Sequence, residues 1–324
     1  MPELPEVETV ARGVDARVRG QQILAVELSL AREPFKTDRD EMAEVLTGQR
    51  IARVYRVGKH IVFDLEEPAT ATVTMSANTS GTGTASTTAS GTTTGFRTAP
   101  VPTPVAKRRG ARAHWVPSHS QWIVHLGMTG RLLYSAAAVP VPSHTHARLS
   151  LASGFELRFV DARRFGRLAL HGSAEAPAQS APFSGPGQEP LSISPDDFVA
   201  LFRGRKLSIK AALLNQKLLH GVGNIYADES LFWAGIRPTR IADSLSRARL
   251  LGLHEALQRV LRQAIELGGS SVSDYVDADG VRGFFQLEHR VYDRAGEPCK
   301  SCGAEIRKIV HAGRGTHYCP RCQR

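Results

Sequence analysis

The sequence predicts an α+β protein with strands first, helices second and a cysteine module last. Three observations predict it. After one amphipathic helix, short runs rich in β-branched and aromatic residues fill the first half, at 23–30, 50–65, 122–128 and 155–166. Helical texture takes over from residue 195 and ends at Gly268-Gly269. All four cysteines then fall at the C-terminal end, as Cys299-x2-Cys302 and Cys319-x2-Cys322. Several short strands after one helix indicate a sheet sandwich or barrel.

The elements follow in order. Residues 2–20 read as a helix, because Val7, Val10, Val14 and Val18 recur at helical spacing. Pro2 and Pro5 sit early, and Glu3, Glu6 and Glu8 lie in the first turns, where the helix dipole favours acids. Residues 68–120 are rich in Thr, Ser, Gly and Ala, then in Pro. No core can be built from them, so they read as a disordered low-complexity insertion between two strands. Lys107, Arg108, Arg109 and Arg112 form a basic cluster there, read as solvated. Residues 172–192, rich in Ala, Pro, Gly and Ser, read as a linker. Helical segments are expected at 195–206, 208–219, 227–236 and 244–267, and the two glycines stop the last of them. The expected division is 1–171, a linker at 172–192, 193–288 and 289–324.

Charge and cysteine usage narrow the function. Forty-one Lys and Arg against 31 Asp and Glu give a net charge of +10. That points to an anionic partner, nucleic acid before a membrane surface. No apolar stretch approaches the roughly 18 residues of a membrane span. The acidic N-terminus has no apolar signal region, so a cytoplasmic protein is expected. In a reducing compartment the clustered cysteines indicate metal rather than disulfides. Two C-x2-C knuckles separated by sixteen residues have zinc-ribbon spacing. Cys299, Cys302, Cys319 and Cys322 would hold one structural zinc in a closed four-thiolate cage. Residues 289–324 carry eight Lys or Arg against three Asp or Glu. A basic hairpin pinned by zinc suits contact with nucleic acid.

The first residues, Met1-Pro2-Glu3-Leu4-Pro5-Glu6, carry chemistry as well as a helix start. Met1 precedes a small residue and is expected to be trimmed, leaving Pro2 with a free secondary amine beside Glu3. An α-amino group has a pKa of about 7.7–8, against about 10.4 for lysine, so more of it is nucleophilic at pH 7. Condensed with a sugar aldehyde carbon, a secondary amine gives a cationic iminium, a strong electron sink.

Five motifs in order extend this reading: PELPEVETV at 2–10, VGKHIVFDL at 57–65, HLGMTGR at 125–131, DARRFGRL at 161–168 and GVGNIYADESLFWAGI at 221–236, closed by GRGTHYCPRC at 313–322. With them the chain resembles the formamidopyrimidine-DNA glycosylases, bacterial enzymes that repair oxidised purines. The resemblance covers nearly everything except 68–120 and 172–188. It implies an N-terminal β-sandwich with flanking helices, a helical helix-two-turns-helix domain and a C-terminal zinc β-hairpin, with damaged double-stranded DNA held in a cleft by a monomer. No organic cofactor and no membrane are implied. The location implied is the cytoplasm, with association to the nucleoid when on DNA.

The same resemblance assigns roles. Pro2 is the nucleophile at C1′ and Glu3 the acid that protonates the sugar ring oxygen, with β- and then δ-elimination to follow. Glu6 is a second acid that positions the sugar or a bound water. Lys59 contacts a phosphate and assists catalysis. The target nucleotide must leave the stack, so His125 and Met128 with Arg163, Arg164 and Phe165 fill the hole and contact the orphaned base. Ala162 stands where the family has proline. Asn224 is a phosphate ligand, Lys210 faces the pocket, and Arg314 clamps phosphates. The segment at 268–285 resembles a loop that closes over the flipped base. Two other readings are an endonuclease VIII-like glycosylase for oxidised pyrimidines and a noncatalytic zinc-ribbon DNA-binding protein. Leu4 and the ARRFG context at 162–166 disfavour the first. The second leaves Pro2-Glu3, Lys59 and Asn224 without a reason.

Overall fold

The computed structural model describes residues 1–69, 114–172, 187–271 and 275–324. The chain divides into two compact units, Met1–Glu67 with Pro117–Arg324, and Pro68–Val116. Of the second unit only residues 68–69 and 114–116 are described. There, Ala69 N donates to His114 O at 2.8 Å. The basic cluster at 107–112 lies outside the described residues.

In the first unit, α1 (Leu4–Val18) carries the expected valines inward: Val7, Val10, Val14 and Val18 are all buried. Then come β1 (Ile23–Leu28), α2 (Arg39–Leu46), β2 (Arg50–Val57), β3 (His60–Pro68), β4 (Trp115–His125), β5 (Arg131–Ala136), β6 (Thr145–Leu151), β7 (Phe155–Val160) and β8 (Arg167–Gly172). They form two four-stranded sheets, ordered β2-β3-β4-β8 and β1-β6-β7-β5. One core joins them: Ile51, Phe63 and Trp122 from the first sheet meet Leu149, Leu157 and Phe159 from the second, beside the valines of α1. The sandwich expectation is met.

Two strand expectations change in detail. The run at 50–65 is a hairpin rather than one strand, because Gly58, at φ +59°, and Lys59 turn the chain between the closing pair Val57 and His60. Residues 115–120, read from composition as part of the insertion, belong to β4. Pairing overrides the Pro and Ser content there.

The helical part comprises α3 (Pro195–Ala200), α4 (Ile209–Leu213), α5 (Asn224–Trp233) and α6 (Arg247–Glu266). Ser194, Ser208 and Ser246 cap α3, α4 and α6 through their hydroxyls, each cap contributing about 1 kcal/mol. A second core gathers Phe198, Phe202, Leu213, Tyr226 and Leu257. Leu4, the first residue of α1, is buried in this core and not in the first. The start of α1 is therefore seated in the helical part while its body packs on the sheets. The closing hairpin, β9 (Arg307–His311) and β10 (Arg314–Tyr318), turns through Ala312 and Gly313 at φ 49° and 70°. These are the values of a two-residue hairpin turn. Phe232 of α5 packs with Cys299 and Cys319 beneath it.

Candidate active site

The start of α1 is fixed by bonds from its own turn and from the helical part. Glu6 Oε2 accepts the backbone N–H of Glu3 at 2.8 Å, satisfying a donor that a helix start leaves orphaned. Leu4 N donates to Gly221 O at 3.0 Å, and Ile225 N donates to Glu3 Oε1 at 3.3 Å. Residue 223 must be glycine for this approach: a Cβ there would lie 2.1 Å from the Glu3 carboxyl carbon. Pro2 and Glu3 are both buried.

Glu3 is held as an acid. Burial raises its pKa to about 7, against the pull of the Lys59 ammonium. Its Oε2 has no hydrogen-bond partner among the described residues. A carboxyl poised near neutral pH with an unspent oxygen suits general acid work. Burial also lowers the pKa of Lys59, while Glu3 and Glu6 push it back up.

A cleft of about 460 Å³ opens here, lined by Glu3, Lys59, His125, Met128, Asn224 and Arg314. Six of the residues singled out from the sequence thus converge, from five separate stretches of chain. Met1 also lines the cleft and is 48 % exposed. Burial drops the pKa of His125 to about 3, and its Nδ1 accepts Gly127 N–H at 3.0 Å. The ring is therefore a neutral donor through Nε2.

The loops carrying Met128 and Phe165 are tied by Asp161, which is fully buried. Its oxygens accept Thr129 Oγ1 at 2.6 Å, Gly166 N at 2.7 Å and Arg163 N at 3.3 Å. Met128 is 38 % exposed and Phe165 52 %, so two apolar tips project from adjoining loops. The Arg163 guanidinium stacks 4.8 Å from the Phe165 ring centre. Arg164 is exposed, in the left-handed region at φ 57°. Projecting apolar side chains beside an arginine suit insertion into a base stack.

Glu6 and Lys210 do other work than expected. Glu6 is buried and receives Glu3 N, Ser270 N at 2.7 Å and a short bond from the Tyr226 hydroxyl. Those bonds fix the start of α1 to α5 and to the first residues of the 268–285 segment, of which 272–274 lie outside the described residues. Lys210 does not face the cleft. It is 1 % exposed, pairs with Asp228 at 2.7 Å and donates to Gly315 O and Thr316 Oγ1. A buried ammonium needs a partner, and Asp228 of α5 supplies it. Asn224 Nδ2 also donates to Gly315 O, at 2.9 Å. Lys210, Asp228 and Asn224 thus hold the hairpin turn that bears the exposed Arg314.

Sequence reasoning missed Asp161, Asp228, Glu229 and Tyr292. Glu229, buried, accepts the N–H groups of Arg290, Val291 and Tyr292 at 2.8–2.9 Å, and so sets Tyr292 at the cleft. Acids inside the apolar helix NIYADESLFW were the available signal: a buried carboxylate in a helix needs a purpose.

The four cysteines come together as expected. Their Sγ atoms all lie within 4.8 Å of one another, with Cys302–Cys319 at 3.5 Å and Cys299–Cys322 at 3.9 Å. Tetrahedral zinc with bonds of about 2.3 Å sets sulfurs about 3.8 Å apart. The set fits one zinc ion, and four protein ligands make the site structural.

Fold and site define a two-core protein with a cleft at its N-terminus and a four-thiolate hairpin beside it. Family models match in the same order. The formamidopyrimidine-DNA glycosylase N-terminal domain matches residues 1–100 and 102–168, the H2TH domain of that family 186–276, and the zinc finger found in FPG and IleRS 296–324. A formamidopyrimidine-DNA glycosylase of Solibacter usitatus is 39 % identical over 324 residues, with all of both chains covered. One from Cereibacter sphaeroides is 38 % identical over 338 residues, again with all of both covered. Among solved structures, wild-type Lactococcus lactis Fpg with N7-benzyl-Fapy-dG DNA superposes with a TM-score of 0.76 at 31 % identity, covering all of both chains. The same protein with abasic-site DNA gives 0.75, covering 99 % of each. The chain belongs to the formamidopyrimidine-DNA glycosylase family. Its activity is that of a DNA glycosylase and abasic-site lyase of base excision repair.

Proposed function

We propose that the cleft binds an oxidised purine nucleotide flipped out of duplex DNA, and that Pro2, freed by loss of Met1, attacks it. The amine nitrogen bonds to C1′ and the damaged base departs with the glycosidic electrons, taking up the amine's proton; Glu3 gives a proton to the ring oxygen O4′, and the C1′–O4′ bond breaks. The resulting iminium between Pro2 and C1′ acidifies the C2′ proton. Its removal expels the 3′ phosphate, and a second elimination expels the 5′ phosphate. His125, Asn224 and Arg314 hold phosphates through charge and N–H donors, while Lys59, whose ammonium acts on the Glu3 carboxyl, contacts the phosphate beside the lesion and assists catalysis at C1′. Met128, Arg163 and Phe165 occupy the vacated stack, and Arg164 stands at its edge. Glu6 and Lys210 act at one remove, by fixing the N-terminus and the hairpin.

One observation carries this reading: the buried Glu3 carboxyl, with its pKa near 7 and its free Oε2, at the cleft where four phosphate-competent side chains meet. Acting as a monomer in the cytoplasm, on the nucleoid, suits a basic enzyme whose substrate is chromosomal DNA. A Lactococcus lactis Fpg complex contains an oxidised pyrimidine in its DNA, so the base preference is a question for experiment. Strand cleavage on duplexes bearing 8-oxoguanine or thymine glycol, by one preparation, decides it. We expect faster cleavage opposite cytosine at 8-oxoguanine. Faster cleavage at thymine glycol would assign the enzyme to pyrimidine repair.

A further inference from the structure

The turn that presents Lys59 is held by a charged cluster outside the cleft. Arg56, at the end of β2, has a side chain only 5 % exposed. Its Nε donates to Glu8 Oε2 of α1 at 2.7 Å. Its two terminal nitrogens donate to both oxygens of Glu189, at 3.0 and 2.9 Å. Nη1 also donates to Gly58 O at 3.2 Å, within the turn itself. On the far side of Glu189, His220 Nε2 lies 3.2 Å from Oε2. The imidazole then covers the turn from outside: a Cβ at Gly58, whose φ is +59°, would lie 2.8 Å from His220 Nδ1.

This cluster joins three stretches that supply the cleft. Glu8 is five residues from Glu3 on the same helix. Arg56 stands at the end of β2, two residues before the turn that Gly58 and Lys59 form. His220 precedes Gly221, whose carbonyl receives Leu4 N, and lies four residues before Asn224. Glu189, from the segment between the sheets and the helices, is the acceptor common to Arg56 and His220. Burial alone would raise the Glu189 pKa, yet His220 and Arg56 bring it down to about 2. The carboxylate therefore stays charged at any pH where the enzyme works. A two-pronged arginine–carboxylate pair fixes direction as well as distance.

We propose that Arg56, Glu189 and His220 are positioning residues that lock the Lys59 turn against the start of α1, and that they govern chemistry at C1′ rather than DNA affinity. The proposal rests on the role given to Lys59 above. Their place in the reaction follows from where they act. Asn224 is tied separately to Gly315 of the hairpin that bears Arg314, and the projecting loops to Asp161, so loosening the clamp leaves them in position but lets the Lys59 ammonium drift from Glu3. A misplacement of about 1 Å at a reacting centre costs on the order of a hundredfold in rate, and a partial loosening less.

The test combines Glu189→Gln, and His220→Gln as a milder second variant, with Lys59→Ala. Single-turnover excision of 8-oxoguanine and the Kd for duplex DNA bearing a tetrahydrofuran abasic analogue are measured for each. Glu189→Gln is expected to slow excision on the order of tenfold, and His220→Gln by less, with Kd within about twofold of the parent. In the Lys59→Ala background neither substitution should slow excision further, since effects that pass through one residue do not multiply. If Glu189→Gln slows that background by its full factor, or weakens Kd as much as it slows excision, the clamp has no such role. If Lys59→Ala alone leaves excision unchanged, the assignment of Lys59 fails, and the clamp's function fails with it.

Discussion

Replacing Glu3 by Gln should stabilise the protein at high pH while abolishing its chemistry. The buried carboxyl titrates near 7 instead of near 4.5. An acid whose pKa rises on folding keeps its proton longer in the folded state than in the unfolded one. Folded stability therefore falls as pH climbs from about 4.5, and the loss is complete above about 7. Each pKa unit corresponds to about 1.36 kcal/mol, so the full penalty is about 3 kcal/mol. Glutamine keeps the shape and an oxygen for Ile225 N–H but never ionises. Its constant packing differences cancel when two pH values are compared. Urea unfolding of parent and variant at pH 5 and pH 8 gives the quantity directly. The variant's advantage should grow by about 2.5 kcal/mol between them, since part of the penalty is already present at pH 5, with excision lost at both. An advantage that stays the same at both pH values would mean that Glu3 is ionised at rest, and the argument for it as the acid would collapse.

Three more outcomes follow from the same geometry. Lys210→Met leaves Asp228 charged and fully buried without its cation, and should lower stability by about 3–5 kcal/mol; a change under about 1 kcal/mol in thermal unfolding would show the pair to be dispensable. Gly223→Ala drives a methyl into the Glu3 carboxyl and should cut the single-turnover rate by on the order of a hundredfold, with little change in Kd for abasic-analogue DNA. Removing zinc with a chelator should abolish DNA binding measured by fluorescence anisotropy, because the hairpin bearing Arg314 depends on the four thiolates; unchanged affinity would free the hairpin from that role.

What was legible in the sequence is what is local in the fold. The valine periodicity of α1, the paired glycines after α6 and the C-x2-C knuckles each depend on neighbours a few residues away, and each appears where expected. Pro2-Glu3 stood out because a terminal amine needs no tertiary partner to be chemically unusual, but its proposed role came only with the later motifs in order. The tethers were not legible. Arg56 and Glu189 are separated by 133 positions, and Lys210 meets the hairpin across 105 and 106. Nothing in either local sequence announces the other. The family resemblance, and no local signal, places Lys210 facing the cleft. Burial against Asp228 reverses that. Compositional reasoning also failed at 115–120, where strand pairing outweighs Pro and Ser. It failed at the Gly58-Lys59 turn as well, because the glycine that breaks the run into two strands was passed over.

The proposed reacting group is the Pro2 nitrogen, available only after Met1 is gone. Borohydride reduction during turnover on 8-oxoguanine DNA, followed by proteolysis and mass spectrometry of the peptide joined to the sugar, tests it most directly. An adduct is expected on the N-terminal peptide beginning at Pro2, and none from protein that retains Met1, although that protein still binds DNA. An adduct on Lys59, or equal trapping with Met1 in place, would contradict it.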